Sequence, residues 1–346
     1  MPEPQDTRAS ACERHSFTTL SAGRSLTGAW NYGLQIKDFY HRGTENTEKA
    51  VTVFWFMLLL FLSALQYYRI IDTMRHTPIR MIALDLDGTL LRSDCSIGTR
   101  TVKALQAAKA IGVEIVLASG RMTPAMEQTA ALLGLDVCLV SYNGAVVCSR
   151  LSDGRKRLYH CPLNAGIARE LFAYAHPRQY QINFYYEDVI VSEDGPHLRP
   201  FIDIYRTRTG SPYRIVERLD AYLECSPTKL LFLVDPSLRN GIENDIRPLF
   251  ETRATIIRTD PEYLEFLDPS VDKGKGLVKL AAILGIEMTH VMAMGDGEND
   301  VPMLQAAGWG VAVANAKECC MAVAKAITIS DHNNDAVAEA VERWVL

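Results

Sequence analysis

The apolar run Ile82-Ala83-Leu84 stops abruptly at Asp85-Leu86-Asp87-Gly88-Thr89. A strand that breaks at two acids and a glycine delivers carboxylates to the carboxyl edge of a sheet, where open α/β sheets bind ligands. Gly88 permits a turn that could bring both acids toward one point. Two acids there suit a hard cation such as Mg²⁺, which takes oxygen ligands, keeps several waters and shares a substrate phosphate. A solvated acidic turn would read the same way, so the rest of the chain has to decide.

Two further strands end in polar clusters. Val113 to Ala118 closes on Ser119-Gly120-Arg121, a hydroxyl, a flexible residue and a helix start, and such a turn can cradle a phosphate with its hydroxyl and backbone N–H groups. His290 to Met294 runs into Gly295-Asp296-Gly297-Glu298-Asn299-Asp300, ahead of a helix carrying Met303, Leu304 and Ala307. Between them, Val271-Asp272-Lys273-Gly274-Lys275-Gly276 opens an amphipathic helix through Leu277, Leu280, Ala281 and Leu284, and Lys273 supplies a positive point charge. The glycines at 274 and 276 lack P-loop spacing. Val301 stands where an EF-hand loop requires glycine, which disfavours calcium.

Strand and helix alternate from Arg80 to Ser141 and again from Lys273 to Trp344, the pattern of a parallel sheet covered on both faces. The expected fold class is α/β, with a core built from residues 79–161 and 262–346. Residues 162–260 read differently. A helix over Ala165 to Ala175 precedes a hairpin, Ile182 to Tyr186 and Val189 to Val191 across Glu187-Asp188, and then a second αβ layer. This insertion reads as a separate α+β unit.

In this order, DLDGTL at Asp85, ASGR with Ser119, DKGKG with Lys273 and GDGEND at Asp296 resemble the four motifs of the haloacid dehalogenase-like superfamily of phosphohydrolases. The resemblance is to its Cof-type group, with a large cap inserted after the second motif, and it covers Arg80 to the carboxyl terminus. Asn143-Gly144-Ala145 and Leu264 to Leu267 match family segments flanking the cap, whereas Ala336 stands where the family usually has glycine. The resemblance implies a Rossmann-like core, Asp85 as nucleophile and Asp87 as general acid and base. It also implies Ser119, Gly120, Lys273 and Asn299 as substrate-binding residues, and Asp85, Asp87, Asp296 and Asp300 as ligands of Mg²⁺. The implied activity is hydrolysis of a small phosphorylated metabolite, a sugar phosphate first, through an aspartyl-phosphate. A phosphomutase of the same fold and a membrane-tethered binding or regulatory protein are the alternatives. Substrate choice would fall to the cap, where Tyr185, Tyr186, Arg206, Arg208 and His197 are candidates against a plain packing or solvated role.

The 346 residues suffice for about two domains, and a net charge of −5 offers nucleic acid no broad attraction. Eight scattered cysteines, with no CxxC pair, read as free thiols of a reducing cytoplasm. Residues 1–50 balance six acids against six bases without periodicity and read as disordered or as a non-native extension. Residues 51–71 hold an uncharged apolar run from Val51 to Tyr68, long enough for a transmembrane helix. Either it anchors a cytoplasmic catalytic domain, with Arg69, Arg75 and Arg80 on the inner side, or translation starts at Met74, the favoured reading.

Overall fold

The computed structural model describes residues 54–63, 78–195, 202–203, 205–207, 210–258 and 261–346. The chain divides into two units, Met1–Asp72 and Thr73–Leu346. In the first, residues 54–63 are helical with nearly all side chains exposed. Among the described residues no helix is long and apolar enough to cross a membrane. Residues 1–50 and the remainder of 51–71 lie outside the described residues.

The second unit holds two sheets. Numbered in chain order, its first half runs β1 (Met81–Leu84), α1 (Thr99–Ala110), β2 (Glu114–Ala118), α2 (Thr123–Leu133), β3 (Cys138–Ser141), β4 (Val146–Cys148) and β5 (Arg157–His160). Then come α3 (Ala165–Ala175), β6 (Gln181–Tyr186), β7 (Val189–Glu193), β8 (Tyr213–Val216), β9 (Lys229–Leu233), α4 (Pro236–Phe250), β10 (Thr255–Ile257) and β11 (Tyr263–Leu267). The last part is α5 (Lys273–Ile283), β12 (Val291–Gly295), α6 (Val301–Ala306), β13 (Trp309–Ala312), α7 (Glu318–Val323), β14 (Ala326–Ile327) and α8 (Ala336–Trp344).

The first sheet has the order β14-β13-β12-β1-β2-β3-β4-β5. It is parallel from β14 to β3, and β4 and β5 add antiparallel. β1 is central and every residue of it is buried, which explains its unbroken apolar sequence. From β1 the chain winds outward through β2 and β3, then returns to β12 on the other side of β1. Such a reversal of strand order opens a crevice at the carboxyl ends. Asp85, Ser119, Asn143 and Asp296 therefore gather at one edge, each just past its strand.

The second sheet runs β10-β11-β9-β6-β7-β8. The expected hairpin is β6–β7, closed by Glu187 and Asp188 with φ of 50° and 58°, the left-handed pair that matches strand twist. Alternation gives the sheet two faces. Phe184, Phe232, Leu264 and Phe266 pack with Leu171 of α3 and Ile246 of α4, while Tyr185, Leu231, Leu233 and Tyr263 join the core of the first sheet. One boundary moves: β11, placed by sequence in the core half that begins at 262, pairs with β9 and β10. Its Leu264 and Phe266 are needed to close the apolar face of the second sheet.

The start of α5 is wedged between two backbones. A Cβ on Gly274 would sit 2.4 Å from the Pro302 carbonyl oxygen, and one on Gly276 would sit 2.7 Å from Gly144 Cα. These glycines serve close approach. Gly274→Ala should cost about 1–3 kcal/mol in urea unfolding, because backbone cannot yield as a side chain can. Gly241→Ala, on α4 with open space around it, should instead add about 0.5–1 kcal/mol. Shifts of the same sign would show that the wedge is not tight.

Candidate active site

Lys273 is the first residue of α5, whose preceding Asp272 accepts the Lys275 N–H at 2.7 Å. The wedge drives the Lys273 side chain inward, where it is fully buried. Its Nζ donates to Asp85 Oδ1 and to Asp300 Oδ1, both at 2.5 Å. Asp300 is equally buried, and its Oδ2 accepts the backbone N–H groups of Asp296 at 3.0 Å and Gly297 at 2.9 Å. That carboxylate shapes the loop after β12. Asp296 Oδ1 accepts from Thr89 Oγ1 at 3.1 Å.

Asp85, Asp296 and Asp300 each present an oxygen within 4.8 Å of the others. At that distance two carboxylates repel by about 3.5 kcal/mol with an effective dielectric of 20. Three acids and one ammonium leave two negative charges. The titration directions agree. Burial and then the Asp300 charge push the Asp85 carboxyl well above its usual range, although Lys273 pulls the other way. Burial and Asp300 also raise Asp296. For Lys273, burial opposes the charge, but Asp300 and Asp85 outweigh it and the ammonium is held more firmly than usual. Hard oxygen donors with an uncompensated charge of two fit a divalent cation.

Asp87 stands apart from this group. The turn at Gly88, with φ +81°, forms as its sequence suggests. However, the Asp87 side chain is 59% exposed and paired with Arg121, whose Nε donates to Oδ2 at 2.8 Å and whose second nitrogen donates to Oδ1. The expected four-acid ligand set is thus three acids in contact range plus an acid at the rim, because a guanidinium fork captures the fourth. Ser119 is buried, and its Oγ accepts the Arg121 N–H at 3.2 Å, so the hydroxyl retains a proton to donate. Gly120 lies under Asn143, whose carboxamide would be 3.0 Å from a Cβ there. Asn299 Nδ2 donates to Asn143 Oδ1 at 3.0 Å.

Sequence reasoning left Arg121 and Asn143 without roles. The available signals were a basic residue two beyond Ser119 and an Asn-Gly pair just after a strand. Among the cap candidates, Tyr185 is buried with its OH 2.5 Å from Tyr205 OH, and Tyr186 packs on Tyr222 from the opposite face. Arg206 is exposed, and Arg208 and His197 lie outside the described residues.

Residues 82–341 match the haloacid dehalogenase-like hydrolase family. The chain belongs to that family. This hydrolase is 32% identical over 274 residues to the chloroplastic endoribonuclease YBEY of Arabidopsis thaliana, a match covering 76% of the hydrolase but only 46% of the plant protein. It is 30% identical over 268 residues to a phosphoglycolate phosphatase of Methanothermobacter thermautotrophicus, covering 77% of the hydrolase and 99% of that relative. Among solved structures, a haloacid dehalogenase-like hydrolase of Bacteroides thetaiotaomicron matches with a TM-score of 0.69 at 29% identity, over 77% of this chain and 99% of that one.

The acid excess should be measurable as instability. A carboxyl whose folded pKa lies above its ordinary 3.8 favours the folded state below that value, and the contribution is lost as pH rises through the folded pKa. In EDTA at pH 7.5, Asp85→Asn should therefore unfold about 1–2 kcal/mol later in urea than the wild type, a gain that shrinks toward pH 4. An Asn variant less stable at both pH values would show that Lys273 already balances the group.

Proposed function

We propose that this hydrolase is a Mg²⁺-dependent phosphomonoesterase that works through an aspartyl-phosphate on Asp85. The observation that carries the reading is the convergence of Asp85, Asp296 and Asp300 on one another, with the buried Lys273 paired to Asp85 and Asp300 and two negative charges to spare. The three acids would hold the cation, which when bound neutralises charge on the phosphoryl oxygens.

A phosphate dianion nearing a carboxylate meets repulsion of about 4 kcal/mol per charge pair at 4 Å. Lys273 offsets part of it while orienting Asp85, and the Ser119 hydroxyl donates to a phosphoryl oxygen. Asp85 attacks phosphorus and the ester P–O bond breaks as the new one forms. Asp87 gives the departing alkoxide its proton and then takes one from the water that cleaves the aspartyl-phosphate. Such a role is typically worth 10² to 10⁴ in rate. Its exposed position at the rim suits a group that must reach both the ester oxygen and solvent, and it would have to leave Arg121 to carry a proton.

The substrate class we favour is a small phosphorylated metabolite, with sugar phosphates first. The archaeal relative is named for phosphoglycolate, another small phosphate ester. On this reading residues 162–260 together with β11 form the cap that selects the leaving group. The seven described cysteines are free, consistent with the cytoplasm as the proposed setting.

Activity on p-nitrophenyl phosphate should vanish in EDTA and return with Mg²⁺ better than with Ca²⁺; undiminished turnover after exhaustive chelation would exclude this mechanism. Rapid-quench mass spectrometry of Asp87→Asn should catch a phosphoryl adduct on Asp85 that outlives the wild-type intermediate. Asp85→Asn should form none. An adduct in the Asp85 variant, or wild-type turnover in either, would contradict the assigned roles.

A further inference from the structure

Asn143 sits at the carboxyl edge of the core with hydrogen-bonding capacity unused. Its side chain is almost wholly buried, and among the described residues its Nδ2 has no acceptor. A buried amide donor is costly to leave unpaired, so a folded chain keeps one where something else supplies the acceptor. The backbone around it is unusual too. Tyr142 and Asn143 both take left-handed φ, 52° and 54°, and such strain persists only where the surroundings over-determine it.

The surroundings do so here. The Asn143 N–H donates to the Ser119 carbonyl at 2.9 Å, and Asn299 Nδ2 donates to Asn143 Oδ1 at 3.0 Å. With the oxygen fixed in this way, the amide nitrogen is committed to one direction. It lies over the Ser119-Gly120 turn, 3.0 Å from where a Gly120 Cβ would stand. The absence of a side chain at 120 leaves room for that approach, and the Ser119 hydroxyl lies in the same turn. We infer that Asn143 Nδ2 donates to a phosphoryl oxygen seated at Ser119-Gly120, and that Asn299 is a positioning residue acting through Asn143. The inference deepens the phosphatase reading and rests on it. The same amide contact joins the phosphate cradle after β2 and β3 to the acid loop after β12, so the anion and the acids are held in fixed relation.

The test is competitive inhibition by inorganic phosphate of p-nitrophenyl phosphate hydrolysis by the full chain. Asn143→Gly removes the amide while tolerating the left-handed backbone. Asn143→Asp keeps the shape and the acceptor for Asn299 but replaces the donor with a charge that repels phosphate. The inhibition constant should rise about tenfold in the Gly variant, the loss of one charge-assisted hydrogen bond, and further in the Asp variant. Asn299→Ala should give a smaller rise. Circular dichroism melting of the Gly variant should stay close to wild type. An unchanged inhibition constant in both Asn143 variants, alongside active wild type, would overturn this inference alone and assign the amide to buried water. A rise that appears only with a collapsed melting transition would overturn it as well, reducing Asn143 to a fold residue. Wild type that hydrolyses no phosphate ester would defeat the phosphatase reading and this inference together.

Discussion

The buried Lys273 ammonium, shared between Asp85 and Asp300 at 2.5 Å each, is the interaction on which the architecture of the site depends. Burying an ammonium is expensive, and the attraction to carboxylates repays it only with close geometry. That geometry comes from backbone rather than from side-chain reach. The helix start is pressed between Gly144 and Pro302, so the lysine has little freedom to withdraw. Asp300 completes the arrangement by tying the loop after β12 to the same charge. The site nevertheless carries an excess of negative charge, a state that costs stability in isolation and that a divalent cation would relieve.

The parts of the fold that show in the sequence are those buried on both faces. β1 and β12 read as unbroken apolar runs and β2 as one from Ile115 onward, and the polar residues that end them are visible as interruptions. β4, β5, β8 and β14 were not legible because they are short or lie toward the sheet margins, where apolar pattern fades. β11 was legible as an apolar segment but not as a member of the second sheet, since five buried residues look the same in either core. At the candidate site, motif order picked out Asp85, Ser119, Lys273, Asp296 and Asp300 in advance of the fold that brings the three acids and the lysine together. It did not reveal the partner of Asp87, because Arg121 is brought to it across 34 residues by the pairing of β1 with β2. Nor did it reveal that Asn299 turns to Asn143, 156 residues away.

The second sheet divides its labour between its faces. One is closed with aromatic and aliphatic side chains against α3 and α4. The other buries polar groups: Lys229 pairs with Glu265 at 3.1 Å and lies 4.7 Å from the centre of the Tyr185 ring. Tyr142 of the core meets this face edge-on at Tyr185 and donates to Asp188 at the hairpin tip at 3.0 Å. The residue next to Asn143 therefore reports directly on the position of the second sheet.

Asp85 and Lys273 are separated by 188 positions in the chain, and this distance governs when the site can come into being. During synthesis Asp85 emerges early, and the whole second sheet must follow before its counter-charge exists. Loop closure over such a span is slow to be rewarded, because the contacts that repay it form late. The nascent amino-terminal half thus carries an uncompensated carboxyl at the tip of its central strand, and insertion of α5 is the event that neutralises it. Completion of the charge cluster and completion of folding become the same step, so a chain stalled before α5 docks holds neither a closed sheet nor a working centre.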